Sequence, residues 1–246
     1  MNKIKLKTIN TKAPEKINKE EYKLELDKIL QELFGLQHLF YASHKYSLLI
    51  IFQGIDTAGK DSTIRQVFSG VNPLGVHATS FKAPIGSELE HDYMWRIFQK
   101  LPEKGMIQIF NRSYYEDILV PTIQKTHPNN IIEDRYDFIN AFEKHLQSNN
   151  TIILKFFLHI SEDEQKKRIQ ERMNDPFKKW KYSEGDLQSS KKWKEYKKVY
   201  EQILNRCSSE LPWVIVPADN KWYRNYIVAS TIVAKLKHLK LKFPKK

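Results

Sequence analysis

One cysteine, Cys207, stands in 246 residues. No intrachain disulfide is possible, and no cysteine-built zinc site either, so a reducing compartment suits the chain. Long apolar runs are missing as well. The longest, Leu48 to Phe52, has the length of a strand and is far too short to cross a bilayer. The start, Met1-Asn2-Lys3-Ile4-Lys5-Leu6-Lys7, is basic but leads into no apolar stretch of signal-peptide length. A cytoplasmic protein is the expectation. Histidines such as His77, His91 and His127 show no metal-ligand spacing. No internal repeat or low-complexity linker interrupts the chain. Negative charge is in short supply: 29 Asp+Glu face 41 Lys+Arg, a formal net charge of +12. That surplus points to a polyanion, whether nucleic acid, acidic membrane or phosphate-rich substrate, although a lysine-rich compositional bias would supply part of it.

What is present is an alternation of two periods. From Lys19 to about Tyr46, apolar residues recur at three- and four-residue spacing, as in Leu26, Ile29, Leu30, Leu33 and Phe34, which predicts a helix. Ser47 to Gln53 then reads as a strand buried on both faces. Further strands are expected at Val76–Phe81, Gly105–Phe110, Thr151–Leu158 and Trp213–Pro217. Helices are expected over about 60–69, 87–101, 131–148, 161–173, 188–205 and 221–240. Ser87 with Glu90, and Ser161 with Glu164, have the spacing of capping boxes. Five short strands alternating with helices imply a parallel sheet covered on both faces. The expected organisation is a loose basic arm over 1–16, one domain over 17–240, and a basic tail over 241–246. Residues 174–187 are the best candidate for a mobile loop.

The segment Gly54-Ile55-Asp56-Thr57-Ala58-Gly59-Lys60 follows the first strand and opens a helix, the context in which G-x-x-x-x-G-K signals a phosphate loop. Glycines let the backbone wrap a phosphate, the helix N-terminus adds positive potential, and Lys60 supplies a mobile cation. Two residues depart from the usual pattern. Asp61 follows the lysine in place of Ser or Thr, and Ser62 comes one position later. Asp56 places a carboxylate among anion-holding groups, so it either ligates Mg²⁺ or orients a nucleophile. The third strand ends in Asn111-Arg112, where an arginine points into the ligand crevice of such sheets. Glu116 and Asp117 follow; by composition alone they read as a solvated pair at a helix start. Residues 165–200 carry 12 Lys+Arg and 5 Asp+Glu, a net +7. Arg168 and Arg172 share one helix face and suit a phosphate-gripping lid. Trp193 and Tyr196 either stack bases or belong to the core.

These residues resemble those of the family-2 polyphosphate kinases. The likeness runs from about residue 20 to 240. It takes in Gly54 to Asp61, Ser80-Phe81-Lys82-Ala83-Pro84, His91-Asp92-Tyr93 with Trp95-Arg96, and Phe110-Asn111-Arg112-Ser113-Tyr114-Tyr115-Glu116-Asp117. It continues through Arg172, Asp175-Pro176, Trp180-Lys181 and Pro212 to Asn225. The resemblance implies a three-layer α/β P-loop kinase fold of thymidylate-kinase type, with a helical lid over about 168–195. It implies Mg²⁺-dependent phosphoryl transfer (Mn²⁺ able to substitute) between inorganic polyphosphate and AMP or ADP, with GMP and GDP as further candidates. Asp56 and Asp117 would hold the metal, with Lys60 and Arg112 completing the catalytic set. Gly54, Ala58, Gly59, Lys60, Asp61, Ser62, Arg65, Arg168, Arg172 and Lys181 would bind polyphosphate; Lys82, Asn111, Arg112 and Glu116 would bind the nucleotide. Ser62 departs from the family's usual glycine. A dimer or tetramer is implied, with neither nucleic acid nor membrane as partner. The competing readings are an ATP-dependent nucleoside monophosphate kinase and a basic nucleic-acid-binding protein.

Overall fold

Five apolar runs form the strands: β1 (Ser47–Gln53), β2 (Val76–Ser80), β3 (Ile107–Asn111), β4 (Thr151–His159) and β5 (Trp213–Pro217). They make one parallel sheet in the order β2-β3-β1-β4-β5 in a computed structural model that describes residues 3–177, 179–181, 184–208 and 211–244. Every residue of β1 is buried, because it lies between β3 and β4 and is covered on both faces. The helices are α1 (Lys19–Ser43), α2 (Lys60–Phe68), α3 (Trp95–Phe98), α4 (Glu116–Gln124), α5 (Asn129–Ser148), α6 (Glu162–Asn174), α7 (Glu184–Lys191), α8 (Trp193–Arg206) and α9 (Lys221–His238). α9 packs against α1 and α2, while α4 packs against α5 and α8, giving three layers.

Local chemistry explains most boundaries. The Asn18 side chain accepts the Glu20 amide at 2.9 Å and opens α1, whose buried Leu26, Leu33, Gln37 and Phe40 follow a helical stripe. Ser161 accepts the Glu164 amide at the head of α6. The Glu164 side chain does not return to the cap; it turns to Arg168 at 2.8 Å.

Three expectations fail for identifiable reasons. The helix foreseen over 87–101 is a single turn at Gly86–Leu89 followed by the short α3. Asp92 opens that second piece by accepting the Met94 amide at 2.9 Å, and the break lets Arg96 reach the Lys82 carbonyl at 2.8 Å. The long charged helix is divided at Lys192 into α7 and α8, which brings Ser189 and Trp193 inward as buried residues. The amino-terminal segment, expected to be loose, is docked. Leu6 is buried, Ile4 and Asn205 exchange two hydrogen bonds, the Leu6 amide meets Glu201, and Thr11 and Ala13 bond to Asp219 and Asn220. Of the segment 174–187, Lys178, Tyr182 and Ser183 lie outside the described residues. No helix among the described residues is long and apolar enough to cross a membrane.

Candidate active site

The loop after β1 is built to turn sharply. Gly54, Thr57 and Gly59 all have positive φ, and the last two are left-handed at 66° and 104°. α2 begins at Lys60, so the amides of its first turn lack helical acceptors. The Lys60 side chain is buried and donates to the Gly54 carbonyl at 2.6 Å, closing the loop on itself. Burial and the neighbouring Arg112 lower its pKa, against the pull of Asp56, Glu116 and Asp61.

β3 supplies the facing wall. Arg112 adopts a left-handed φ of 64° at the strand end and reaches across to Asp56 at 2.6 Å. Burial alone would raise the Asp56 carboxyl; Lys60 and Arg112 outweigh it, a Ser189 hydrogen bond assists, and the group stays ionised. Asn111 makes a second crossing, donating to Asp61 at 2.5 Å. Glu116 and Asp117 start α4. Burial raises both, and Asp117 is pushed up to about 6 against the pull of Arg96 and Arg135. Arg96 lies 3.6 Å from Asp117 Oδ2, and Arg135 donates to the Asp117 carbonyl.

A buried polar cluster holds this turn from behind. Tyr114 and Tyr115 both donate to Glu143 Oε1, at 2.8 and 2.7 Å. Lys155 donates to Glu143 Oε2 at 2.6 Å, to the Cys207 carbonyl at 2.7 Å and to the Tyr115 hydroxyl at 3.2 Å. Every lysine donor has an acceptor, so the charge is neutralised where it is buried.

A pocket of about 630 Å³ opens between the two walls. Of the candidate site residues, Gly54, Asp56, Lys82, Arg112, Glu116 and Asp117 line it, Gly59, Lys60, Asp61, Ser62 and Asn111 do not, and Phe81, Leu119, Val120 and Pro121 give it an apolar side. Gly185 of α7 and Tyr196 and Tyr200 of α8 also line it. Trp193 belongs to the core, and Tyr196 packs against that core while facing the pocket.

Other expected site residues are placed differently. Arg65 is exposed on α2 and does not line the pocket, and Arg172 lies half-buried in the last turn of α6. The Lys181 side chain lies outside what the structure describes. The Ala58 amide turns inward to Ile55, so Ala58 offers the loop its carbonyl only. Arg168, expected to grip phosphate from the lid, is buried beneath the loop instead. It bonds Glu164 and the carbonyls of Thr57, Ala58, Ala218 and Asp219, so its donors are already taken. Arg224 lies beside it and had been assigned no role. It donates to the Ala58 carbonyl at 3.2 Å and the Ser62 hydroxyl at 3.0 Å. Arg96 and Arg135 were also missed. Arg96 sits in a stretch already matched to the family, whereas Arg135 reads as an ordinary charge on an amphipathic helix.

A glycine loop closed by its own lysine at the end of a central parallel strand, faced by an arginine from the next strand, defines a P-loop kinase. The chain belongs to the polyphosphate kinase 2 family, whose profile, Polyphosphate kinase 2 (PPK2), matches residues 16–244. It is thus a phosphotransferase acting between polyphosphate and nucleotides. It is similar to an AMP/ADP-polyphosphate phosphotransferase of Meiothermus ruber, 45% identical over 215 residues, covering 87% of this chain and 80% of the relative. It is 42% identical to an ADP-polyphosphate phosphotransferase of Rhodopseudomonas palustris over 243 residues, covering 92% and 83% of the two. The crystal structure of polyphosphate kinase 2 from Arthrobacter aurescens superposes with a TM-score of 0.96 at 36% identity, covering 100% of this chain and 89% of that one.

Proposed function

We propose that the chain transfers the terminal phosphoryl group of inorganic polyphosphate to both AMP and ADP, with Mg²⁺ as cofactor and Mn²⁺ able to replace it. GMP and GDP are further acceptors in the same reading, and the assembly is a dimer or tetramer, which light scattering measures. The observation that carries the proposal is the shared pocket. Gly54, Ile55 and Asp56 at the start of the phosphate loop, Arg112, the acidic pair and an apolar wall all border one space, as an anionic chain end and a nucleotide would require.

The carboxylates suit a hard cation. Asp56 is held ionised, and Asp117 Oδ2 is buried without a hydrogen-bond partner. No group of three or more His, Cys, Asp or Glu forms a metal cage among the described residues. Mg²⁺ commonly takes one or two carboxylates and completes its shell with water and substrate phosphates. Asp56 and Asp117 would hold it, and it would neutralise charge on the transferring group.

The chain's own residues supply the rest. Lys60 and the loop amides hold the donor phosphate. Arg112 spans to the acceptor phosphate and shares its charge with Asp56, which keeps it aimed. Phe81 and Leu119 receive the nucleoside. Tyr196, Tyr200 and α7 exclude water and so limit hydrolysis of the donor. Catalysis is positioning and charge neutralisation around an in-line transfer.

The test uses purified protein, Mg²⁺, polyphosphate and a single nucleotide. AMP should yield ADP and then ATP, and ADP should yield ATP. Turnover only when ATP is the donor would replace the proposal with an ATP-dependent nucleoside monophosphate kinase.

A further inference from the structure

Arg224 is the largest of the fully buried side chains, with 1% of its surface exposed. Its acceptors are the Ala58 carbonyl, the Ser62 hydroxyl and the Asn225 amide oxygen, all neutral. Among the described residues no carboxylate pairs with it. Arg168, its charged neighbour, has the same sign and keeps Glu164 for itself at 2.8 Å. A buried charge without a counter-charge is costly, so the rest of the site should show what it serves.

The guanidinium touches the phosphate loop from below. A Cβ added to Gly59 would come within 2.0 Å of Arg224 Nη1 and 2.8 Å of its Cζ. Gly59 therefore answers two demands, a left-handed φ of 104° and room for the guanidinium. The first amides of α2 lack helical acceptors, and the positive end of that helix adds to the charge of the guanidinium. Burial and Arg168 lower the Arg224 pKa to about 9, which still leaves it mostly protonated at neutral pH. Ser62 completes the arrangement. Its hydroxyl donates to the Gly59 carbonyl and accepts from Arg224, a bond that the family's usual glycine could not make.

We infer that Arg224 is a positioning residue for polyphosphate: its charge, held unneutralised under the loop, draws the chain end onto the loop and is neutralised by it. The inference rests on polyphosphate occupying the loop. It differs from a lid contact, because Arg224 reaches substrate only through the loop's field and shape.

Two sets of variants test it by isothermal titration of nucleotide-free, full-length protein with polyphosphate. In the first set, Arg224→Gln should weaken binding roughly tenfold or more, the scale of a unit charge several ångströms away at an effective dielectric near 20. Arg224→Lys, which keeps the charge with fewer hydrogen bonds, should stay within about threefold of the parent on the same scale. At saturating polyphosphate, kcat of the Gln variant should fall much less than kcat/KM. Equal losses in the two variants would reduce Arg224 to a hydrogen-bonding strut and overturn the inference. In the second set the arginine stays. Ser62→Asp supplies the missing counter-charge internally, so it should raise the melting temperature of ligand-free protein above that of Ser62→Asn while weakening polyphosphate binding. No gain in melting temperature over Ser62→Asn would also overturn it. A parent protein that binds no polyphosphate would overturn the reading of the loop itself, a result separable from both others.

Discussion

Arg168 and Arg224 lie under the phosphate loop; Lys155 and Glu143 lie under the turn that follows β3. Both clusters are buried, and both back a wall of the pocket. Their charge is balanced differently. The second closes on itself: one carboxylate serves two phenols and one lysine, and the lysine has three acceptors. It fixes the shape of Ser113 to Tyr115, and so the directions in which Arg112 and Asp117 leave that turn. The first carries two guanidiniums against one carboxylate. A neutral cluster holds geometry by itself, whereas a cationic one favours an anion above it. The contrast separates residues that build a site from residues that bias what enters it.

The largest expected effect tests the neutral side. Glu143→Ala leaves Lys155 buried without its counter-charge and should cost about 3–5 kcal/mol of unfolding free energy in a denaturant titration. Replacing Lys155 by Met in the same chain should recover most of that loss. A cost under about 1 kcal/mol for the single variant would erase the distinction between the clusters.

Asp117 gives the next effect, through pH. Burial raises its folded pKa to about 6 from 3.8, so between these values the folded chain keeps a proton that the unfolded chain releases. Stability therefore falls as pH rises through that window and is lowest, for this group, above pH 6. A shift of that size corresponds to about 3 kcal/mol. Asp117→Asn should lack this slope, so its stability relative to the parent should climb by about 2–3 kcal/mol between pH 4 and 7. Parallel stability curves for the two proteins would show that Arg96 and Arg135 neutralise the carboxylate as fully as Lys155 neutralises Glu143.

The smallest effect lies on the cationic side. Ser62→Gly removes one acceptor from Arg224 but leaves Asn225, and should cost about 1 kcal/mol. Its KM for polyphosphate should change by no more than about threefold, since the charge stays in place. A larger rise would make the hydroxyl, and not the guanidinium, the element that sets the loop.

Most of the sheet can be read in the sequence because each strand is a local apolar run; β1 and β5 have the expected ends, Ser47–Gln53 and Trp213–Pro217. The phosphate loop is equally local, with strand, glycines, lysine and helix all between Ser47 and Phe68. Where reading along the chain fails, the deciding partner is distant. Arg168 and Arg172 share spacing and chemistry, but only the fold reveals that Arg168 meets carbonyls 110 and 111 positions away. Ser87 and Glu90 have capping-box spacing, yet the demands of Arg96 divide that segment. Leu6 looks like an apolar residue in a basic arm until β4 brings His159 to its carbonyl at 3.0 Å. Pattern encodes secondary structure; it does not tell a guanidinium that meets solvent from one that meets backbone.

The placement of Arg224 also bears on how the site comes into being. The loop is synthesised well before its floor, which arrives 166 residues later. At roughly 5–20 residues per second, that interval is on the order of 10–30 s. During it, the glycine turn exists as sequence without the charge that makes it a seat for polyphosphate. A nascent chain halted before α9 should therefore carry the whole phosphate-loop motif and still bind polyphosphate poorly, so the activity waits for α9.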